Sequence, residues 1–152
     1  IDRCRSIGAG LSSCTIPAVG KPNFHIEPGT MEIGIGHHGE PGIEVIPTQS
    51  ATEMAATMLN FVLAEQVASP PPEVVVLVSG LGATPVMELY IYYAEVEKLL
   101  TEKGIRVHRA LVGNYFTSLE MMGVTLTVMT LDDELKKLVD LPTQAPGLMQ
   151  GE

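Results

Sequence analysis

With 152 residues, of which 45% are apolar and 18% charged, the chain is long enough to bury the core of one domain and too apolar to be disordered. A net charge of −9 argues against affinity for nucleic acid or an anionic membrane, since both need clustered Lys and Arg. No apolar run approaches membrane-spanning length, so no nucleic acid and no membrane are expected among its partners.

The first residues, Ile1-Asp-Arg-Cys-Arg-Ser6, read as the last turn of a helix. With no methionine ahead of them, they suggest a piece of a longer polypeptide. Gly10-Leu-Ser-Ser-Cys-Thr-Ile16 has the small and β-branched character of a strand, closed by Pro17. Residues 17–30 hold three prolines and two glycines and form a loop. Met31-Glu-Ile-Gly-Ile35 alternates like a strand, and residues 43–46 form a short strand beyond the next turn.

Ser50-Ala-Thr-Glu53 is a capping box, in which the serine oxygen and the glutamate satisfy free amides at a helix start. The spacing of Met54/Ala55, Met58/Leu59, Val62/Leu63 and Val67 predicts a helix over residues 51–68 with one broad buried face. Successive prolines at 70–72 end it. Glu73-Val-Val-Val-Leu-Val-Ser79 is a β-branched run suited to the middle of a sheet. After the turn Gly80-Leu-Gly-Ala83, Thr84 is read as the cap of a helix with Pro85 at its first position. Val86, Leu89, Tyr93, Val96 and Leu100 would share its buried face, and Gly104 would close it. Tyr90, Tyr92 and Tyr93 are read as packing and rim.

Residues 105–111 predict another strand. Thr117-Ser-Leu-Glu120 has the pattern of a second capping box, opening a short helix that stops at Gly123. Residues 124–131 form a strand, and Asp132 caps a last helix to about residue 140. Strands and helices thus alternate after residue 45, without internal repeat. The expected fold is α/β: a mixed β-sheet with helices mainly on one face, a two-layer α/β sandwich, in a single domain over residues 1–152 with 142–152 a polar tail. Cys4 and Cys14 are expected as free, core-packed thiols in a reducing cytoplasm, since a chain of this size needs no staple and C-x-x-C spacing is missing.

The chemistry concentrates in Gly34-Ile-Gly-His-His-Gly-Glu-Pro-Gly42, where two imidazoles stand among four glycines. Glycine lets the backbone turn sharply and approach a small ligand, and histidine titrates near neutrality. Gly34-x-Gly36-x-x-Gly39 matches the dinucleotide fingerprint in letters alone, because Glu40-Pro-Gly42 follows where a helix should open. Gly20-Lys21 lacks the spacing of a phosphate-binding loop. The turn at residues 79–85 is a better place for an anion, with glycines that merely tighten a turn as the plainer reading.

A metal held by His37, His38 and Glu40 is disfavoured, because neighbouring residues in an extended segment point to opposite faces. His25 in its loop and His108 at a strand edge are read as bystanders, and the methionines as core filling. Two readings of the turn stay open on composition: an imidazole acting on a small ligand, or exposed histidines in a glycine-rich turn.

Five stretches together resemble a known family. They are Ser13-Cys-Thr-Ile-Pro-Ala-Val-Gly20, Glu32-Ile-Gly-Ile-Gly-His-His-Gly-Glu-Pro-Gly-Ile43, Gly80-Leu-Gly-Ala-Thr-Pro-Val-Met-Glu-Leu89, Val112-Gly-Asn-Tyr-Phe-Thr-Ser-Leu-Glu-Met121 and Asp132-Asp-Glu-Leu135. In this order, across nearly the whole chain, the sequence is similar to the K-subunits of dihydroxyacetone kinases, or the corresponding K-domain of single-chain kinases.

The resemblance implies the second domain of a two-domain K-subunit. In that family the histidine directly before Gly-Glu-Pro-Gly adds through its ring nitrogen to the ketone carbon of dihydroxyacetone, giving a covalent hemiaminal. By position that residue is His38, both catalytic and substrate-binding. His37 stands where the family usually carries an aliphatic residue. Glu40 receives no catalytic role.

The family's acid/base histidine and aspartate and its Gly-Gly-Ser-Gly-His-type loop belong to the first domain, so these 152 residues alone are expected to be inactive. No cofactor or metal is expected on this domain. ATP or ADP with Mg is implied on a separate L-subunit or L-domain, with ADP recharged by a phosphotransferase relay in some members. The implied partners are dihydroxyacetone or a similar short ketose, the first K-domain, the L-subunit and a second copy in a homodimer. The alternatives are a non-catalytic dihydroxyacetone-binding regulator of the same family, or a kinase for a related tetrulose. A cytoplasmic location goes with all of them.

Overall fold

The computed structural model describes residues 2–22, 24–36, 40–64 and 73–151. Its elements in chain order are β1 (Cys4–Gly10), β2 (Thr30–Ile33), β3 (Glu44–Pro47), α1 (Ala51–Ala64), β4 (Glu73–Gly80), α2 (Val86–Glu102), β5 (Arg106–Gly113), β6 (Gly123–Thr130), α3 (Asp133–Val139), β7 (Thr143–Ala145) and β8 (Leu148–Gln150). The first six strands form one sheet in the order β3-β2-β1-β6-β4-β5. The β4 and β5 strands run parallel with α2 as their crossover, and the other neighbours in this sheet are antiparallel. This is the expected mixed α/β sheet.

One face of the sheet carries the main core. Ile7 and Ala9 of β1, Met31 and Ile33 of β2, Val74, Val76 and Val78 of β4 and Val124, Leu126 and Val128 of β6 all pack into it. They meet Ala55, Met58, Leu59 and Val62 of α1 and Leu89, Tyr92, Val96 and Leu100 of α2. Period-two burial on the strands and helical spacing on α1 and α2 thus close on one another, as binary patterning requires. The α3 helix buries none of its residues. It is tied to the sheet through Lys136, whose ammonium pairs with Glu73 at 2.7 Å.

On the opposite face lies a smaller cluster made by loops: Cys14, Ile35, Leu81 and Met121, with Phe24 and Ile26 against it. Buried Ser79 anchors one of these loops by accepting the Tyr115 and Phe116 amides at 3.0 and 2.9 Å.

Several local expectations are corrected. Cys4–Gly10 is a strand rather than a helix end, because it zips fully onto β6 from Cys4↔Met129 to Gly10↔Gly123. Of the expected strand at 10–16 only Gly10 is strand, as the end of β1; the rest is loop, with Leu11 and Ser12 donating to the Met122 carbonyl at 2.8 and 3.3 Å. Thr84 does not cap α2. Its hydroxyl donates to the Gly123 carbonyl at 2.7 Å and accepts the Gly123 amide at 2.9 Å, joining the helix start to β6.

The buried face of α2 runs through Leu89, Tyr92, Val96 and Leu100, with Tyr93 on its flank and Val86 exposed. No helix forms at Thr117-Ser-Leu-Glu120. Leu119 takes a left-handed φ of 52°, and the Glu120 carboxylate accepts the Thr15 amide at 2.7 Å. The presumed polar tail contains a hairpin, β7 with β8. Gln150 fastens it by donating to the Val139 and Leu141 carbonyls at 3.1 and 3.0 Å.

Other expectations hold. The Ser50 amide and hydroxyl donate to Glu53 at 2.9 and 2.7 Å, and the Glu53 amide returns to Ser50 Oγ at 3.3 Å, a reciprocal capping box. Asp132 caps α3 by accepting the Leu135 amide at 2.8 Å. The α1 helix is described to Ala64, and its expected continuation to 68 lies outside the described residues.

Candidate functional site

The Gly34–Gly42 turn leaves the sheet at the end of β2. Gly34 has φ +78°, a left-handed conformation that breaks the strand and swings Ile35 away from the main core, where Ile33 is buried, into the loop cluster. The Gly34 amide donates to the Gly8 carbonyl of β1 at 2.6 Å, so the exit of the turn is fixed to the neighbouring strand.

The return of the turn is fixed as firmly. The Gly36 amide donates to the Glu40 carbonyl at 3.1 Å, and the Gly42 amide donates to the Glu32 carboxylate at 2.5 Å. The Ile43 amide donates to the Ile33 carbonyl at 2.7 Å before β3 begins. A side chain at Gly36 would overlap the Glu40 side chain, which would have to shift to admit it. His37, His38 and Gly39 lie outside the described residues, and the site is therefore built from these shoulders.

Beside the turn opens a cleft of about 280 Å³ whose walls include Arg5, Ser6, Gly8, Gly34, Ile43 and Thr125. Arg5 and Ser6 reach it because β2 pairs with β1 only at Ala9 and Gly10, which leaves the earlier part of β1 without a strand on that side. The cleft offers a guanidinium, hydroxyls and backbone polar groups next to an apolar wall, a mixture suited to a small polar molecule with a carbon skeleton.

The remaining candidates separate cleanly. At residues 79–85 the Leu81 and Ala83 amides donate to the Gly123 and Met121 carbonyls at 3.2 and 3.1 Å, so these amides already have partners and do not face an anion. The dinucleotide reading of Gly34-x-Gly36-x-x-Gly39 has no helix behind it, since α1 starts at Ala51. Among the described residues no three His, Cys, Asp or Glu side chains gather in a metal-binding group, and none of the helices is long and apolar enough to cross a membrane.

His25 is exposed and faces Glu27 at 3.5 Å. His108 lies on the outer strand β5, as expected of an edge. The register of β4 with β5 shifts between Val74 and Val75, so that His108 bulges out between Val107 and Arg109. The bulge lets both His108 and Arg109 reach Asp140, each at 2.9 Å, although alternation would send consecutive side chains to opposite faces. The His108 hydrogen bond, with Arg109 adding to it, holds the Asp140 carboxyl below its usual range. Both cysteines are free, Cys14 buried in the loop cluster and Cys4 half-buried.

Glu32 and Thr125 were not singled out by sequence. Glu32 reads as the solvent-side residue of an alternating strand, and that its carboxylate meets Gly42 depends on how the turn folds back. Thr125 had a signal: in Val124-Thr-Leu-Thr-Val128 the threonines alternate with core residues and so share the face opposite the helices. Its side-chain oxygen is buried and has no hydrogen-bond partner among the described residues.

Comparison with known proteins now identifies the lineage. Residues 1–147 match the family model described as the Dak1 domain. The chain is 44% identical over 141 residues to "PTS-dependent dihydroxyacetone kinase 2, dihydroxyacetone-binding subunit DhaK" of Listeria innocua, covering 93% of this chain and 43% of that protein. It is 37% identical over 158 residues to an L-erythrulose 1-kinase of Mycolicibacterium smegmatis, covering 99% of this chain and 27% of the relative. Among solved structures, the dihydroxyacetone kinase operon co-activator Dha-DhaQ superposes with a TM-score of 0.84 at 30% identity, over 92% of this chain and 44% of the other. The chain spans less than half the length of each of these relatives. By sequence and by fold, the chain belongs to the Dak1 domain family.

Proposed function

We propose that this chain is the substrate-capturing domain of a ketose kinase, holding dihydroxyacetone or a related short ketose covalently on His38. The observation that carries the reading is the turn itself. A glycine-rich segment, pinned at both shoulders to β1 and β2, runs beside a cleft of about 280 Å³ in a family whose relatives are named as dihydroxyacetone-binding subunits and erythrulose kinases. The ring nitrogen with the lone pair forms the N–C bond to the ketone carbon. The carbonyl π electrons move to oxygen, which takes up a proton while the other ring nitrogen releases one.

Capture of this kind selects ketones over polyols without a carbonyl and fixes a terminal hydroxyl for attack on a phosphoryl group. The phosphoryl donor, ATP or ADP with Mg, would sit on a separate L-subunit or L-domain, and the proton-transfer groups in a first K-domain. A second copy would complete a homodimer. Native mass spectrometry of the intact protein with dihydroxyacetone tests the central claim. An adduct of one ketose is expected, and His38→Ala removes it; an adduct that persists in the variant overturns the reading.

A second reading, a regulator that traps the ketose without transferring phosphate, is favoured by the high structural similarity to an operon co-activator. Phosphorylation of the ketose by the intact protein mixed with an L-subunit and its nucleotide separates the two. Turnover supports the kinase, and adduct without turnover supports the regulator.

A further inference from the structure

Beneath Ile35 and Gly36 the sheet carries an unusual combination. Thr125 is nine-tenths buried and its hydroxyl has no partner among the described residues, a costly state for a polar group. On the neighbouring strand stands Gly8. A methyl group placed there would lie 3.1 Å from the Ile35 carbonyl oxygen and 3.9 Å from Thr125 Oγ1. The missing side chain thus brings a carbonyl of the turn and the threonine hydroxyl to the same spot above β1. There a recess of about 10 Å³, with Gly36, Ser118 and the apolar Leu81 and Met121 also in its wall, opens beside Ile35 and Gly36. Gly8, Ile35 and Thr125 line both this recess and the 280 Å³ cleft, so the two adjoin.

We propose that this recess is a subsite for a single hydroxyl-type oxygen, with Thr125 as its principal ligand. The volume admits one oxygen and no carbon chain. The polar groups define its chemistry further. The Ile35 carbonyl only accepts, whereas the Thr125 hydroxyl donates or accepts; the Ser118 hydroxyl already meets Cys14 Sγ at 3.4 Å. A guest that meets both the Ile35 carbonyl and the Thr125 hydroxyl carries an O–H to donate to the carbonyl. Two sources supply such a group: a water that props the turn from below, or the terminal hydroxyl of a ketose whose carbon skeleton lies in the adjoining cleft. The second source rests on the proposed function, and the first does not. In both cases Thr125 is a positioning residue for the turn or its ligand.

Thr125→Val keeps the shape and removes the hydroxyl, and Thr125→Ser keeps the hydroxyl and removes the methyl. Thermal unfolding without ketose reads the water arm. An occupied subsite loses a partner in Thr125→Val, and Tm falls by roughly 3–6 °C. A hydroxyl with no guest makes the valine variant equal to or more stable than the parent, because an unpaired polar group has been removed. Ketose retention by native mass spectrometry reads the other arm. A ketose hydroxyl in the subsite lowers apparent affinity about 3- to 10-fold in Thr125→Val, with recovery in Thr125→Ser.

A fall in Tm with unchanged ketose affinity assigns the guest as water, and a valine-specific loss of ketose affinity assigns the ketose hydroxyl. Unchanged or raised stability together with unchanged ketose affinity overturns the subsite. Failure of the His38 assignment shows separately, as an adduct surviving His38→Ala, and leaves the thermal arm intact.

Discussion

The Gly42 amide donates to the Glu32 carboxylate at 2.5 Å, linking the last residue of the histidine turn to the strand that feeds it. A carboxylate acceptor makes for a stronger hydrogen bond than a neutral one. Glu32→Ala leaves the half-buried amide unpaired and is expected to cost about 1–3 kcal/mol in chemical denaturation. Glu32→Gln, which keeps an acceptor oxygen, should recover most of that loss. Equal loss in both variants would show that charge, and not the bond, holds the turn.

His37 and His38 are adjacent, so a loss of the ketose adduct in a double variant would not separate them. His37→Val is expected to keep the adduct at a level comparable to the parent, since one nucleophilic ring suffices. Loss of the adduct in His37→Val and retention in His38→Ala would transfer the assignment to His37.

Glu73 joins three elements, accepting from Lys136 of α3 at 2.7 Å and pairing with Arg106 of β5 at 2.6 Å. The Lys136 hydrogen bond, followed by Arg106, holds its carboxyl below the ordinary glutamate value of 4.5. A depressed folded pKa contributes stability that is present above the unfolded value and is lost as pH falls through the folded one. Urea titrations at pH 7 should therefore show Glu73→Gln less stable than the parent. The difference should shrink towards zero as pH drops below about 4. A gap that persists at pH 2–3 would mean that packing, not charge, separates the two.

Gly82 has φ +133°, and a side chain there would run into the Leu119 carbonyl. The bridge from Gly82 to Met121 brings the 114–122 loop against the start of α2. Gly82→Ala should destabilise by roughly 2–4 kcal/mol through backbone strain and displacement of that loop. Near-parental stability would show that the loop can retreat at little cost.

Much of the fold was legible in the residues because its signals are local. Ser50 and Glu53 form their capping box within one helical turn, and the Val74–Val78 run forms the inner strand it resembles. The misread segments share a different cause. Cys4–Gly10 has weak strand propensity of its own and becomes a strand because β6 pairs with its full length. Thr117-Ser-Leu-Glu120 has a helix-start pattern, yet the Ser118 amide is drawn to the Leu81 carbonyl at 2.7 Å and Glu120 to Thr15. Tertiary partners outbid a local cap worth about 1 kcal/mol.

The turn divides in the same way. Its glycines, its histidines and its kinship were set by the order of residues alone, because motif and composition are one-dimensional. What surrounds it was decided only in three dimensions. A left-handed Gly34 sends Ile35 to the far side of the sheet, Glu32 reaches back to Gly42, and the bare Gly8 lets the Ile35 carbonyl and Thr125 Oγ1 come within 4 Å of where its side chain would stand. Each of these depends on strands distant in sequence meeting in one register, and hydrophobic periodicity specifies which face is buried without naming the residue that will lie opposite.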